Sequence, residues 1–242
     1  MKTLIGVIQS EANVYCQSEW LENLKKIEGN FDVLIVENSY DDDNFNNLKS
    51  RFENDNINAI ILKGPYINII KDRIIENRNI VLNWFREHKE YDNLIFLDSD
   101  IFPPKEALNQ LLSRKEKIIG TVCWIVGSAH SYRAAWNFFK SDVESGKHLD
   151  FVEHLNQNET KLNEVGELIE IKETGLGCTF FDGEILRKES DLLFRDTGFD
   201  LKEDFTLIRD LRDRGYKAYI DMKISCFHNL TKFGINEVNQ NG

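Results

Sequence analysis

The chain has no long hydrophobic run, no paired cysteines and no surplus of basic charge. Each absence closes off a class of function. Without an unbroken apolar stretch of about 20 residues, no segment reads as a bilayer-spanning helix. Met1-Lys2-Thr3-Leu4-Ile5-Gly6-Val7-Ile8 enters a strand directly, and its apolar run is too short for the core of a secretion signal. The expectation is a soluble cytoplasmic protein, with peripheral contact to a membrane left open. The cysteines are Cys16, Cys123, Cys178 and Cys226, with no Cys-x-x-Cys spacing and three of them in apolar strand-like runs. Buried, reduced thiols are expected rather than a zinc site or a disulfide framework. The net charge of −11 disfavours general affinity for nucleic-acid backbone or an anionic membrane. It still allows a local basic pocket for a phosphorylated ligand. Repeats, low-complexity tracts and linkers are absent too, so the 242 residues read as one domain.

What is present centres on Asn93-Leu94-Ile95-Phe96-Leu97-Asp98-Ser99-Asp100-Ile101-Phe102-Pro103-Pro104. Leu94 to Leu97 read as a fully buried strand. It ends in two carboxylates, where open α/β sheets bind ligands. Pro103 and Pro104 stop the strand and open a helix over Lys105 to Leu112. Two carboxylates this close repel unless a cation is near. Oxygen ligands at a rigid strand end suit Mg²⁺ or Mn²⁺, especially when diphosphate oxygens complete the shell. A solvated acidic turn is the plain alternative, and Asp41-Asp42-Asp43 shows how common acidic clusters are here. A haloacid-dehalogenase-type phosphatase also places Asp-x-Asp after a strand. There the motif lies near the chain start and continues to a Thr, whereas Ile101 and Phe102 follow here at mid-chain.

Upstream, Leu4 to Ile8, Val33 to Val36 and Ile57 to Leu62 read as strands. Helices are expected from a Ser18 cap to about Ile27, over Phe45 to Glu53 and over Ile69 to His88. In the last, Ile70, Ile74, Asn77, Val81 and Trp84/Phe85 recur at helical spacing and predict its buried stripe. The order βαβαβαβ predicts a parallel sheet with right-handed crossovers and helices on both faces. Ligand loops then gather at Gln9-Ser10, Glu37-Asn38-Ser39 and Asp98-Ser99-Asp100. Downstream, strands are expected over Lys117 to Val126, Leu168 to Ile171, a segment after Gly175, Tyr216 to Ile220 and Ile224 to Phe227. Asp204 to Arg214 reads as a helix ended by Gly215, and Thr231 to Gly242 as a loose polar tail. Ser128 to Asn163 is polar and rich in aromatics. It reads either as a helix and loop lying over the site or as packing at the domain edge.

Four pieces then stand in order: Glu76-Asn77-Arg78-Asn79; Asp98-Ser99-Asp100; Phe199 to Thr206, running through Glu203-Asp204 to Gly215-Tyr216; and Cys226-Phe227-His228. Gly175-Leu176-Gly177-Cys178 supplies a Gly-x-Gly-Cys segment between the second and third. This ordered set resembles the GT-A fold nucleotide-sugar glycosyltransferases, the family-2-like members in particular. Arg78 to Pro104 is also similar to fungal mannan-type mannosyltransferases. The resemblance covers residues 4 to 230. The chain departs from it where Gln9 to Asn13 replace the usual Pro and Tyr-Asn, and where Glu37-Asn38 replace Asp-Asp.

The resemblance implies a single α/β GT-A domain, Rossmann-like, with a mixed, mostly parallel central sheet flanked by helices. Residues 1–100 form the nucleotide-sugar half and 101–242 the acceptor and catalytic half. It implies a Mn²⁺- or Mg²⁺-dependent hexosyltransferase. The donor is a UDP- or GDP-sugar and the acceptor a glycan, lipid-linked or other hydroxyl, with no nucleic-acid partner. Asp98, Asp100 and His228 are the implied metal ligands. Ser10, Glu37, Asn38, Arg73, Arg78, Asp98 and Ser99 are the implied donor contacts. Asp204, with Glu203 as second choice, is the implied base for an inverting displacement. Asp182 and Trp124 are candidates for the acceptor pocket. Two rival readings are a catalytically silent binding module on the same fold and a sugar-phosphate nucleotidyltransferase. The second would need a Gly-rich basic loop after the first strand, which Gln9 to Asn13 do not provide.

Overall fold

The computed structural model describes residues 1–55, 57–126, 132–133, 138–139, 168–196 and 203–229. Apart from 132–133 and 138–139, the reading of Ser128 to Asn163 lies outside the described residues, as do the Phe199 to Lys202 part of the third motif and the tail from Thr231.

Four strands open the chain: β1 (Thr3–Gln9), β2 (Phe31–Glu37), β3 (Ala59–Lys63) and β4 (Asn93–Leu97). They run parallel in the spatial order β3-β2-β1-β4. Between them lie α1 (Gln17–Leu24), α2 (Asp43–Asp55) and α3 (Ile70–Glu87). The apolar runs are continuous because both faces of each strand are covered. Leu4, Leu34, Val36, Leu94 and Phe96 pack with Val81, Leu82 and Phe85 of α3. Their neighbours in sequence, Ile5, Val7, Val33, Ile35, Ile95 and Leu97, pack with Trp20, Leu21 and Leu24 of α1 and Leu48 and Phe52 of α2. One register thus feeds two cores. A Cβ on Gly6 would stand 2.3 Å from Val81 Cγ1, so the glycine is what lets α3 lie so close to β1.

The second half completes the sheet. β5 (Ile101–Phe102) and α4 (Ala107–Leu112) follow the Asp-x-Asp turn. β6 (Ile118–Val126) is followed by two short strands, β7 (Tyr132–Arg133), which pairs with β6, and β8 (Phe138–Phe139). β9 (Leu168–Ile171), β10 (Glu173–Thr174), which pairs with β8, and β11 (Cys178–Asp182) come next. Helices α5 (Gly183–Lys188) and α6 (Glu203–Asp213) precede the last strand, β12 (Ala218–His228). β11 runs antiparallel between β4 and β6, and β12 runs parallel to β6. The full order is β3-β2-β1-β4-β11-β6-β12-β5, with β9 also on β12. Among the described residues, no helix is long and apolar enough to cross a membrane.

Several expectations change in detail. The two late strands are one, β12, interrupted by a register shift between Asp221 and Ser225. Asp221 is fully buried there. It accepts from Arg114 Nε at 2.8 Å and from the amide of Lys223 at 2.9 Å, so the bulge closes around a satisfied carboxylate. Ser18 caps nothing. A 3-10 turn over Glu11–Cys16 precedes α1, Ser10 caps that turn, and the Ser18 hydroxyl accepts from Arg51. The buried stripe of α3 is Asn77, Arg78, Val81, Leu82 and Phe85, whereas Ile70 is 64% exposed. Gly215 follows α6 at φ 90°, the left-handed conformation that a glycine adopts without penalty.

Candidate active site

The carboxyl ends of β1, β2 and β4 meet α3 around a cleft of about 270 Å³, lined in part by Gln9, Ser10, Asn38, Arg73, Arg78, Asp98, Ser99 and Asp100. Seven of the nine implied donor and metal residues therefore converge on one space. His228 joins from the far end of the chain. β12 pairs with β5 so that His228 stands opposite Ile101, and the Asn229 amide donates to the Asp100 carbonyl at 2.8 Å. This pairing sets His228 Nε2 3.3 Å from Asp100 Oδ2. The Tyr15 hydroxyl, from the turn after β1, donates to the Asn229 carbonyl at 2.7 Å and closes that side.

Asp98 is held from two directions. Its amide donates to the Gly177 carbonyl at 2.9 Å, just before β11, which gives the Gly-x-Gly-Cys segment a structural task. Its Oδ1 accepts from Arg78 Nη2 at 3.2 Å. Although 36% of the side chain faces the cleft, protein atoms surround the rest. That burial pushes the Asp98 carboxyl above its ordinary value; Arg78 and His228 pull it down, and neighbouring Asp100 pushes it up. The same burial, with Asp100 nearby, raises the Tyr15 phenol and pushes the Cys16 thiol up to about 11.

The other Nη of Arg78 pairs with Asp204, the second residue of α6. A helix start favours an anion, and the guanidinium adds a full positive charge beside it. Arg78 is 4% exposed, so the pairs form out of bulk water. Glu203 begins α6, and its side chain lies outside the described residues, as does that of Trp124. The adjacent asparagines are braces. Asn77 Nδ2 donates to the carbonyls of Arg73 and Pro65. Asn79 grips the Phe194 backbone through both its amide nitrogen and oxygen.

Two expectations are corrected. Glu37 does not face the cleft; it is fully buried at the end of β2. It accepts from the Ser39 amide at 2.9 Å, the Ser39 hydroxyl, Asn44 Nδ2 at 3.0 Å and Lys63 Nζ at 3.0 Å. With both oxygens engaged and the side chain fully buried, it shapes the loop that presents Asn38. Asp182 is also misplaced as an acceptor contact. It pairs with Asn93, at the opposite end of β4 from Asp98, and caps α5 through the Glu184 amide. Gln9 was expected in a ligand loop but not among the implied donor contacts. Gln9 is 1% exposed, and among the described residues neither its amide nitrogen nor its oxygen has a partner. The Ser99 hydroxyl is buried in the same state. Buried polar groups of this kind call for a ligand or water. The available signal was a polar residue ending an apolar strand, which is weak.

No family model matches this sequence, and no curated protein matches it. Solved structures do. TarS 1-349 of S. aureus in complex with UDP-GlcNAc aligns over 95% of this chain and 59% of its own, at 15% identity and a TM-score of 0.56. Mannosyltransferase PcManGT from Pyrobaculum calidifontis, in complex with GDP-Man and Mn²⁺, aligns over 96% of this chain and 58% of its own, at 13% identity and a TM-score of 0.59. The chain thus spans under two thirds of either neighbour. With the mixed sheet and the reversed β11 at its centre, these alignments define the fold as GT-A, in one domain.

Proposed function

We propose that the protein is a nucleotide-sugar-dependent glycosyltransferase that moves a hexose-type sugar from a UDP- or GDP-sugar to a hydroxyl acceptor. The observation that carries this is the cleft. Arg78 joins Asp98 and Asp204 on one guanidinium, beside the Asp100–His228 pair and the open amide of Gln9. Nucleotide complexes of two neighbours with this fold support it.

The residues present fit a divalent cation. Asp100, in the turn after β4, and His228, at the end of β12, come within 3.3 Å, and Asp98 offers an oxygen two residues away. Carboxylate oxygens with one imidazole suit Mn²⁺ or Mg²⁺. Among the described residues, no three His, Cys, Asp or Glu side chains are already gathered as a cage. Asp98, Asp100 and His228 would hold the ion, with ligand oxygens completing its shell. When bound, it supplies positive charge against the departing diphosphate.

This chain's own residues do the rest. Gln9, Ser10, Asn38 and Arg73 form the wall for the nucleoside, with Arg73 packed over the Tyr66 ring at 4.7 Å. Arg78 and Ser99 face the diphosphate. Asp204 takes the acceptor hydroxyl's proton as the sugar carbon is attacked, and attack from the opposite face inverts that carbon. The test is thermal stability with UDP- and GDP-sugars, with and without Mn²⁺. Ligand at 100 times its Kd stabilises by about 2.7 kcal/mol, a rise of roughly 5–11 °C for a chain of this size. A Mn²⁺-dependent shift with one nucleotide is expected. No shift across the panel removes the reading. Asp204→Asn is expected to retain that shift and lose about 10²–10⁴-fold in transfer.

A further inference from the structure

Arg78 touches both ends of the proposed chemistry. Nη2 lies 3.2 Å from Asp98 Oδ1, and Nη1 pairs with Asp204 Oδ1. Its side chain is 5% exposed, that of Asp204 14%, and the guanidinium lies in the wall of the cleft. A planar guanidinium has a fixed fork. The arm that holds Asp204 cannot at the same time make a full contact with a phosphate oxygen. A carboxylate held in a charge-assisted bond also has less of its basicity to offer an incoming hydroxyl.

We propose that Arg78 is a donor-released latch. Without donor, it holds the Asp204 carboxylate idle. A diphosphate entering the cleft captures the guanidinium and frees Asp204 to face the acceptor. Resting on the donor reading above, this orders the reaction, since the base becomes competent only after the leaving group is in place. Arg78 is thus a positioning residue for the base. It also makes the diphosphate and Asp204 competitors for one cation, and competition has a sign that plain structural support lacks.

The test is isothermal titration of Mn²⁺-pyrophosphate, Mn²⁺-UDP and Mn²⁺-GDP into the wild type, Asp204→Asn, Arg78→Met and the double variant. With no carboxylate charge to displace, Asp204→Asn is expected to bind these ligands more tightly, on the order of tenfold. The gain should vanish in the Arg78→Met background. A gain that persists there assigns the effect to plain removal of negative charge and overturns the latch. Equal or weaker binding by Asp204→Asn also overturns it, while leaving the donor site standing. If the wild type binds none of the three, the donor reading falls and the latch with it. Should Arg78→Met fail to fold, Arg78→Lys replaces it. Lysine replaces the rigid two-armed fork with one compact charge, so the gain is expected to shrink there; an undiminished gain overturns the latch.

Discussion

Breaking the ion pair at the end of β2, beneath the proposed nucleoside wall, tests whether Glu37 is a brace. Glu37 is fully buried, and its one full counter-charge among the described contacts is Lys63 Nζ at 3.0 Å. Lys63→Met removes that charge and keeps most of the apolar stem. Stranding one partner of a fully buried pair costs about 3–5 kcal/mol. Lys63 is 30% exposed, so water already screens part of the interaction. Ser39 and Asn44 also continue to donate to the carboxylate. About 2–3 kcal/mol is then the reasonable loss, or roughly 4–12 °C in melting temperature for a domain of this length. Glu37→Gln should cost less, because it removes the fully buried charge and leaves unpaired only the Lys63 ammonium, which is partly exposed to water. The assay is calorimetric melting of both variants without ligand. If Lys63→Met melts within 2 °C of the wild type, on the scale of about 2–4 °C per kcal/mol, the brace argument is wrong. Glu37 then returns as a candidate nucleoside contact.

Three further outcomes follow from the same geometry. Asp100→Ala should abolish the Mn²⁺ dependence of donor affinity; unchanged Mn²⁺ stimulation in a titration would remove Asp100 from the ion site. Gly6→Ala places a methyl 2.3 Å from Val81 Cγ1 and should cost about 1–3 kcal/mol by overpacking. Val81→Ala in the same chain should recover much of that, and failure to do so in a double-mutant melt would mean the strain lies elsewhere. Asp32 is partly desolvated, yet hydrogen bonds from Lys2, Tyr91 and Asn58 outweigh that burial and hold its carboxyl below its ordinary 3.8. Its stabilising contribution is present above that unfolded value and is lost as pH falls through the lower folded one. Asp32→Asn should flatten the acid limb of a stability-versus-pH curve, and an unchanged limb would count against the assignment.

The sheet was legible wherever a strand is buried on both faces, because Leu94 to Leu97 and Val33 to Val36 then read as unbroken apolar runs. The Asp-x-Asp turn and His228 were legible as polar residues at the ends of such runs, and Arg78 as part of a polar cluster on the helix before the Asp-x-Asp strand. The reversal of β11 was not, since direction leaves no mark on an apolar pentapeptide. Asp221-Met222-Lys223 looked like the end of one strand and is a bulge within another, because a buried carboxylate and an exposed one are spelled alike. The same ambiguity misassigned Glu37 and Asp182, where hydrogen bonds from residues near and far decide how much of a carboxylate is left to act. Gln9 lay hidden for the converse reason. A neutral amide carries no motif, and its empty hydrogen-bonding positions exist only once β1, β2 and α3 are assembled around it.

The antiparallel insertion of β11 also bears on how the chain is made. The β1–β4 block is contiguous and can assemble as soon as Leu97 leaves the ribosome. The outer edge of β4 then waits for Cys178–Asp182, roughly eighty residues later. At about 5–20 residues per second, that is a window of roughly 4–16 s. During it an apolar strand carrying the Asp98 turn has no neighbour on one side, and such an edge can recruit another chain. His228 arrives later still. The nascent protein therefore passes through a stage with a nearly finished β1–β4 block and an open seam, and slow translation over the intervening segment would lengthen its exposure to aggregation.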